Sequence, residues 1–110
     1  MTAYFVRRPS KIPGLRYTIW PPKARLQYLS VDHVPSGKPV FRFPHEVHRT
    51  GEAMKVIDRL LADQTDWSNV APPDRQVELA LRRLESCFER VEDAKLSPFA
   101  FWRVKARCRR

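Results

Sequence analysis

The chain has 110 residues, a formal net charge of +9, and contents of 43% apolar and 11% aromatic residues. This length corresponds to one domain, and the apolar content excludes an intrinsically disordered chain. No run of residues approaches the roughly 18 apolar residues of a membrane span, and no apolar signal-peptide region follows Met1. We therefore expect a single domain over residues 1–110, cytoplasmic and without membrane contact.

The positive charge lies mainly at the two ends of the chain. Residues 1–45 contain eight Lys or Arg and one acid, a net charge of +7, and residues 96–110 contain five bases and no acid. Residues 46–95 carry a net charge of −3. Such a surplus favours a polyanionic partner, which can be nucleic acid, a nucleoprotein or an acidic protein surface.

Residues 1–48 have the pattern of a β-rich basic part. Short strands are predicted at 3–8, 15–20, 24–31 and 40–43, although 24–31 also tolerates a helix. The clearest strand is 15–20, where apolar and other residues alternate with a period of two. Seven of the ten prolines precede residue 45, and this density favours short strands and ordered loops over long helices.

Residues 49–95 have the period of two helices. The first is predicted from Thr50, a suitable N-cap, to about residue 62. The second is predicted over 72–95, about six turns, with Pro73 suited to the first helical position. Leu84 lies at the centre of its apolar stripe and Leu79 points away from it. The stripe consists of Val77, Ala80, Leu81, Leu84, Cys87, Phe88 and Val91.

Residues 96–110 form a basic C-terminal part for which two structures are open. From Trp102 to Arg109, apolar and basic residues alternate, which predicts a strand with its bases on one face. Ser97 and Pro98 could instead begin a short helix. The predicted fold class is α+β: a small antiparallel sheet from the N-terminal half, covered by two α-helices, with a basic C-terminal strand or tail.

No motif has the spacing of a catalytic or metal site. His45 and His48 are three residues apart beside Glu46, whereas the helix of a zinc protease carries histidines four apart. Cys87 fits a small core residue, and Cys108 lies among arginines, which lower the pKa of a thiol, without a base beside it. The two cysteines do not resemble a secreted disulfide framework. We expect no enzyme, no metal and no cofactor.

Aromatic and basic residues are interleaved in several segments. Arg42 lies between Phe41 and Phe43, and two aromatic residues shortly precede Arg7 and Arg8. Single-stranded nucleic acid is held by this combination, because bases stack on rings while cations contact phosphates. The alternative is that these rings are needed in the core, and we expect at least half of the twelve aromatic side chains to be buried.

The leading hypothesis is a small basic, non-enzymatic accessory protein that binds nucleic acid, DNA or RNA, or a ribonucleoprotein complex. The alternative is a small protein-binding inhibitor or adaptor, such as a phage or plasmid counter-defence protein that docks on a larger complex. The residues expected to contact the partner are Arg7, Arg8, Arg16, Lys23, Arg25, Arg42, Arg103, Lys105, Arg107, Arg109 and Arg110.

Overall fold

The computed structural model describes residues 4–62, 66–68 and 74–109, apart from the side chain of Gln76. The fold is α+β, as predicted, with seven strands and two helices in the described part of the chain. The strands are β1 (Val6–Pro9), β2 (Leu15–Trp20), β3 (Leu26–His33), β4 (Lys38–Arg42), β5 (Val47–His48), β6 (Phe88–Val91) and β7 (Phe101–Val104). The helices are α1 (Thr50–Leu61) and α2 (Asp74–Cys87), and a 3-10 turn covers Ala106–Cys108.

The strands form one mostly antiparallel sheet in the order β1-β2-β3-β5-β7-β6. Strand β3 pairs with β2 along one edge and with both β4 and β5 along the other. The parallel pair is β5–β7, in which Val47 is opposite Trp102. The sheet is therefore larger than predicted, and it draws β6 and β7 from the C-terminal half of the chain.

The period of two in β2 separates a buried face of the sheet from an uncovered one. Leu15, Tyr17 and Ile19 are buried and belong to the core, whereas the residues between them are half-buried. The core also contains Ala53, Val56, Ile57 and Leu61 of α1 and Ala80 and Leu84 of α2. Both helices thus pack on the same face of the sheet, and within the described residues no helix covers the other face.

The N-terminal strands largely follow the sequence prediction. Strand β2 has the predicted bounds, β1 begins later than predicted, and residues 26–33 form a strand rather than a helix. Of the twelve aromatic side chains, five are buried, three are half-buried and four are exposed. We expected at least six to be buried, so the number of fully buried rings is one lower than predicted. The apolar periodicity located the core correctly even where the strand ends differed.

Helix α1 begins differently from the prediction. Thr50 is its first residue rather than its N-cap, and Arg49 at the cap position has a left-handed backbone with φ of 59°. The Thr50 hydroxyl is not needed as a cap and donates instead to Gln27 Oε1 at 2.6 Å. Gln27 Nε2 in turn donates to the Pro21 carbonyl oxygen at 2.8 Å, so one side chain joins the start of α1 to the β2–β3 loop.

A second hydrogen-bond cluster joins α1 to the first hairpin. The carboxylate of Asp58 accepts from the Tyr17 hydroxyl and from the Ser10 hydroxyl, both at 2.5 Å. Burial, and then the hydrogen bond to Asp58, raises the pKa of Tyr17 far above its ordinary value. Tyr17 therefore stays protonated and donates across the interface between sheet and helix.

The second helix ends eight residues earlier than predicted. Residues 88–91 form β6, which pairs antiparallel with β7, with Phe88 opposite Val104. The apolar stripe does continue through Phe88 and Val91, but a short apolar run fits a strand as well as a helix. The strand is chosen because the edge of β7 offers backbone groups that need partners. Pro73, the predicted first helical residue, lies outside the described residues.

The C-terminal segment is joined to the end of α2 by a disulfide. Strand β7 ends at Val104 rather than continuing to residue 109, and the 3-10 turn brings Cys108 to Cys87 with a Cα–Cα distance of 5.7 Å. Cys87 is buried in the core, as predicted, but it is paired with Cys108, so the expectation of two unpaired cysteines is wrong. The Lys105 amide also donates to the Cys87 carbonyl oxygen at 2.8 Å, so backbone and side chains meet at one point.

A buried loop segment closes the end of the sheet near β2 and β3. His33 is buried, and its Nε2–H donates to the Trp67 carbonyl oxygen at 2.8 Å while Nδ1 accepts from the Ser36 hydroxyl at 2.7 Å. Gly14 has φ of 93°, and a Cβ there would overlap the Trp67 backbone. His33 is thus a structural residue, and Gly14 is required by close approach of two backbones.

Two leucines of α2 test the assignment of its buried face. Leu84 is 1% exposed and Leu79 is 43% exposed. We expect Leu84→Ala to lower the free energy of unfolding by about 2–5 kcal/mol, because it leaves a cavity, and Leu79→Ala to lower it by far less. Urea denaturation of both variants measures this, and a larger loss for Leu79→Ala would show that the helix face is assigned wrongly.

The disulfide can be tested chemically. The cross-link spans a sequence separation of 21 residues. Its loss should destabilise the fold by about 3 kcal/mol through the chain entropy of the unfolded state. We expect no free thiol when the protein is unfolded without reductant, and a lower urea midpoint for Cys87→Ser with Cys108→Ser together. Two titratable thiols in unreduced protein, with an unchanged midpoint, would contradict the cross-link.

Candidate functional site

The uncovered face of β1–β4 carries polar and aromatic side chains in three cross-strand rows. In the first, Arg7 is opposite Thr18, Thr18 is opposite Ser30, and Ser30 is opposite Arg42. In the second row Arg16 is opposite Asp32, and in the third Trp20 is opposite Tyr28. We call this surface the open face; its members are Arg7, Arg16, Thr18, Trp20, Tyr28, Ser30, Asp32 and Arg42.

A groove runs along the open face. Its volume is about 260 Å³, slightly below the roughly 300–1,000 Å³ of ligand pockets, so it is a shallow surface groove. Three arginines line it, so the groove favours anions. Its lining consists of Phe5, Arg7, Arg16, Thr18, Trp20, Ser30, Asp32, Gly37, Pro39 and Arg42.

The carboxylate of Asp32 lies on the floor of this groove and is held by two hydroxyls. Thr18 Oγ1 donates to Oδ2 at 2.5 Å, and Ser30 Oγ donates to Oδ1 at 2.7 Å. Although Arg16 is its register partner, Asp32 makes no ion pair within residues 4–62, 66–68 and 74–109. The Nε atom of Arg16 is buried without a hydrogen-bond acceptor among the described residues.

Aromatic rings lie beside the arginines of the open face. Trp20 and Tyr28 are stacked, with ring centroids 5.6 Å apart and planes inclined by 20°. Tyr28 is 37% exposed and Phe5, at the rim of the groove, is 44% exposed. The Arg7 guanidinium lies 5.1 Å from the centre of the Phe5 ring. Planar apolar surfaces and cations are thus presented together to solvent.

A second basic cluster surrounds His48, which lies in β5. His48 is opposite Leu26, so the neighbouring Arg25 and Arg49 approach each other across the two strands. Burial, followed by the charges of Arg49, Arg25 and Arg103, lowers the pKa of His48 below its ordinary value of 6.5. Like charges placed across strands repel each other, so this cluster also favours an anionic partner.

The C-terminal bases are engaged by the protein itself. Arg103 Nε lies 3.2 Å from Glu89 Oε1, and Arg109 Nε lies 3.2 Å from Glu52 Oε1. Arg107 donates to the Ser86 carbonyl oxygen at 2.9 Å. These three side chains therefore contact α1, α2 and β6, and of the strand or tail predicted for this segment only a short strand, β7, is formed.

The structure divides the bases that were predicted from the sequence into separate groups. Arg7, Arg16 and Arg42 come together on the open face. Arg8 is exposed on the edge strand β1 and shares the helix side of the sheet with its partner Tyr17. The others are Lys23 and Arg25 in the exposed β2–β3 loop, the C-terminal Arg103, half-buried Lys105, Arg107 and Arg109, and Arg110, which lies outside the described residues.

The sequence-based set contained only bases, so it lacked the other side chains of these surfaces, among them Trp20, Tyr28 and Asp32, and it also lacked Arg49. The alternation in β2 could have predicted the position of Trp20, because residues 16 and 20 lie on the same face of a strand. Tyr28 and Asp32 could be placed on the same face only when the register of β2 and β3 was known. The position of Arg49 depends on the left-handed backbone turn before α1. The sequence does not signal this turn, because residue 49 is not a glycine.

Within residues 4–62, 66–68 and 74–109, no three His, Cys, Asp or Glu side chains are grouped closely enough to hold a metal ion. In the same part of the chain, neither helix has the length and apolar content required to cross a bilayer.

The fold and the open face define an α+β protein with helices on one side of the sheet and a basic, aromatic surface on the other. Comparison of the chain with protein-family models, curated proteins and solved structures gives no match. The geometry of the open face is therefore the basis on which we propose a function.

The charge around His48 generates a prediction about its titration. Its lowered pKa means that the folded protein binds a proton less readily than the unfolded chain. Stability from this group is therefore complete above the unfolded value of 6.5 and is lost as pH falls below it. We expect an NMR titration to give His48 an apparent pKa below 6.5, and Arg25→Gln with Arg49→Gln to raise it. An unchanged value in that variant would remove the arginines as a cause.

Proposed function

We propose that this protein is a non-enzymatic binder of single-stranded nucleic acid, free or within a ribonucleoprotein complex. The observation that supports the proposal is the placement of three arginines and a stacked pair of aromatic rings on one uncovered face of the sheet. The partner is either RNA or DNA, because phosphates and bases are common to both.

The exposed aromatic rings favour single-stranded over double-stranded nucleic acid. Bases of a duplex are stacked on each other, whereas unpaired bases can stack on exposed rings such as Tyr28 and Phe5. Each such stack contributes roughly 1–3 kcal/mol and tolerates different sequences. Arg7, Arg16 and Arg42 lie within reach of phosphates on either side of these rings.

An apolar groove on the helix side supports the second candidate function, a protein-binding inhibitor or adaptor such as a counter-defence protein. The groove lies between α2 and strands β4, β6 and β7 and is lined almost entirely by apolar side chains. The indole Nε1 of Trp102 is buried there without an acceptor among the described residues. The cavity holds only about 40 Å³, and Leu84, Phe43 and Phe88 within it are buried in the core, so a partner would contact its rim and the adaptor function stays the second candidate.

The cytoplasmic location expected from the sequence is also part of the proposal. The disulfide between Cys87 and Cys108 is the feature that argues against it, because cytosolic thiols are normally kept reduced.

The proposal is tested by removing charge from the open face. The variant Arg7→Gln, Arg16→Gln, Arg42→Gln is compared with Lys55→Gln, Arg75→Gln, Arg82→Gln, which removes three exposed bases from the helices. Fluorescence anisotropy of a labelled single strand gives the dissociation constant over a range of salt concentrations. The open-face variant should flatten the slope of log K against log salt by about 1.4 for two phosphate contacts or about 2 for three, at about 0.7 for each contact.

The helix variant has the same net charge as the open-face variant, but its three bases lie outside the open face, so it should retain the slope of the wild type. Circular dichroism and urea denaturation of both variants check that folding is intact. Equal loss of binding in the two variants would indicate a general charge effect and contradict a site on the open face. No binding by the wild type at low salt would contradict the function itself.

A further inference from the structure

Asp32 is an unexpected residue in a surface that favours anions. It is the one acid in residues 1–45, and it lines the same groove as Arg7, Arg16 and Arg42. A carboxylate repels a phosphate group at close range, so Asp32 weakens contacts to the nucleic-acid backbone. Its place in the groove suits a different part of the ligand, one that donates hydrogen bonds.

The hydrogen-bond capacity of Asp32 is only partly used. An ionised carboxylate has about four lone-pair sites, and the hydroxyls of Thr18 and Ser30 occupy two of them, one on each oxygen. These two bonds fix the plane of the carboxylate and leave each oxygen able to accept once more. Arg16, opposite Asp32 in the register, has a buried Nε without an acceptor among the described residues.

The groove therefore presents two acceptors beside the guanidinium group of Arg16, which lines it. A ligand that satisfies all three offers two adjacent N–H donors and a neighbouring acceptor. Among the bases, the Watson–Crick edge of guanine has this arrangement, with N1–H and the N2 amino group next to O6. Uracil offers one N–H, while adenine and cytosine would turn a ring-nitrogen lone pair towards the carboxylate.

We infer that Asp32 and Arg16 read guanine, with the N1–H and N2 amino group donating to Asp32 and Arg16 donating to O6. The inference rests on the proposed function and adds a base preference to it. The Trp20 and Phe5 rings line the same groove and can contact the plane of the base. Phosphates on either side are left to Arg7 and Arg42, so base reading and backbone binding use different side chains.

The test uses uridine strands of about a dozen nucleotides that carry a single central guanosine, inosine, adenosine or uridine. Inosine keeps N1–H and O6 but lacks the N2 amino group, so it isolates one contact to Asp32. We expect the wild type to bind the guanosine strand roughly 10- to 100-fold more tightly than the inosine strand, as for loss of one hydrogen bond to a charged group. Deoxy versions of the strands determine whether the preference extends to DNA.

The variant Asp32→Asn keeps one acceptor oxygen but not two, so the preference for guanosine over inosine should fall below about 3-fold. Its affinity for the all-uridine strand should not fall, because a repulsive charge is removed. The matched control is Glu78→Gln, which removes one negative charge from the exposed surface of α2 and should keep the preference. The wild-type comparison of guanosine with inosine tests the inference without any variant.

The outcomes separate the inference from the proposed function. Equal binding of all four strands, lost in the Arg7, Arg16 and Arg42 variant, overturns guanine reading and leaves single-strand binding in place. A guanosine preference that survives in folded Asp32→Asn assigns the reading to other residues and also overturns the inference. Failure to bind any strand overturns both.

Discussion

The pairing of β3 with three other strands is the constraint on which the rest of the structure depends. Its register with β2 puts Leu29 and Val31 beside Tyr17 and Ile19 on the buried face. Because the side-chain period of a strand is two, the same register assigns Asp32, Ser30 and Tyr28 to the open face. A shift of one residue would exchange the two sets, so one register defines both the core and the candidate site.

The fold determines which of the excess positive charges of the chain are paired with acids or carbonyl groups. The C-terminal bases that the structure describes contact Glu89, Glu52 and the Ser86 carbonyl, and a disulfide holds this segment against α2. Exposed ion pairs contribute little to stability, but they reduce the field that these bases present to a partner. Within the described residues, Arg7, Arg16 and Arg42 of the open face make no ion pair.

The open face combines two kinds of group with different physical roles. Arginines and exposed rings give affinity that depends weakly on sequence, whereas a carboxylate fixed by two hydroxyls lowers affinity for phosphate and offers directional acceptors. Binding proteins obtain specificity in this way, since an unfilled polar group penalises ligands that cannot pair with it. For the proposed function, the same surface would hold a strand through the first kind of group and select a position along it through the second.

The sequence by itself determined the elements whose patterns are local. The alternation in 15–20 predicted β2, the helical period predicted α1, and the stripe of α2 placed Leu84 in the core. Clustering of bases with aromatic residues indicated the basic side of the sheet and three of its arginines. Tertiary structure decided where α2 ends, which cysteines pair, and that Asp32, Tyr28 and Trp20 share a face with those arginines. These features depend on hydrogen bonding and register between strands distant in sequence, and a short apolar run such as 88–91 fits a helix or a strand until its neighbour is in place.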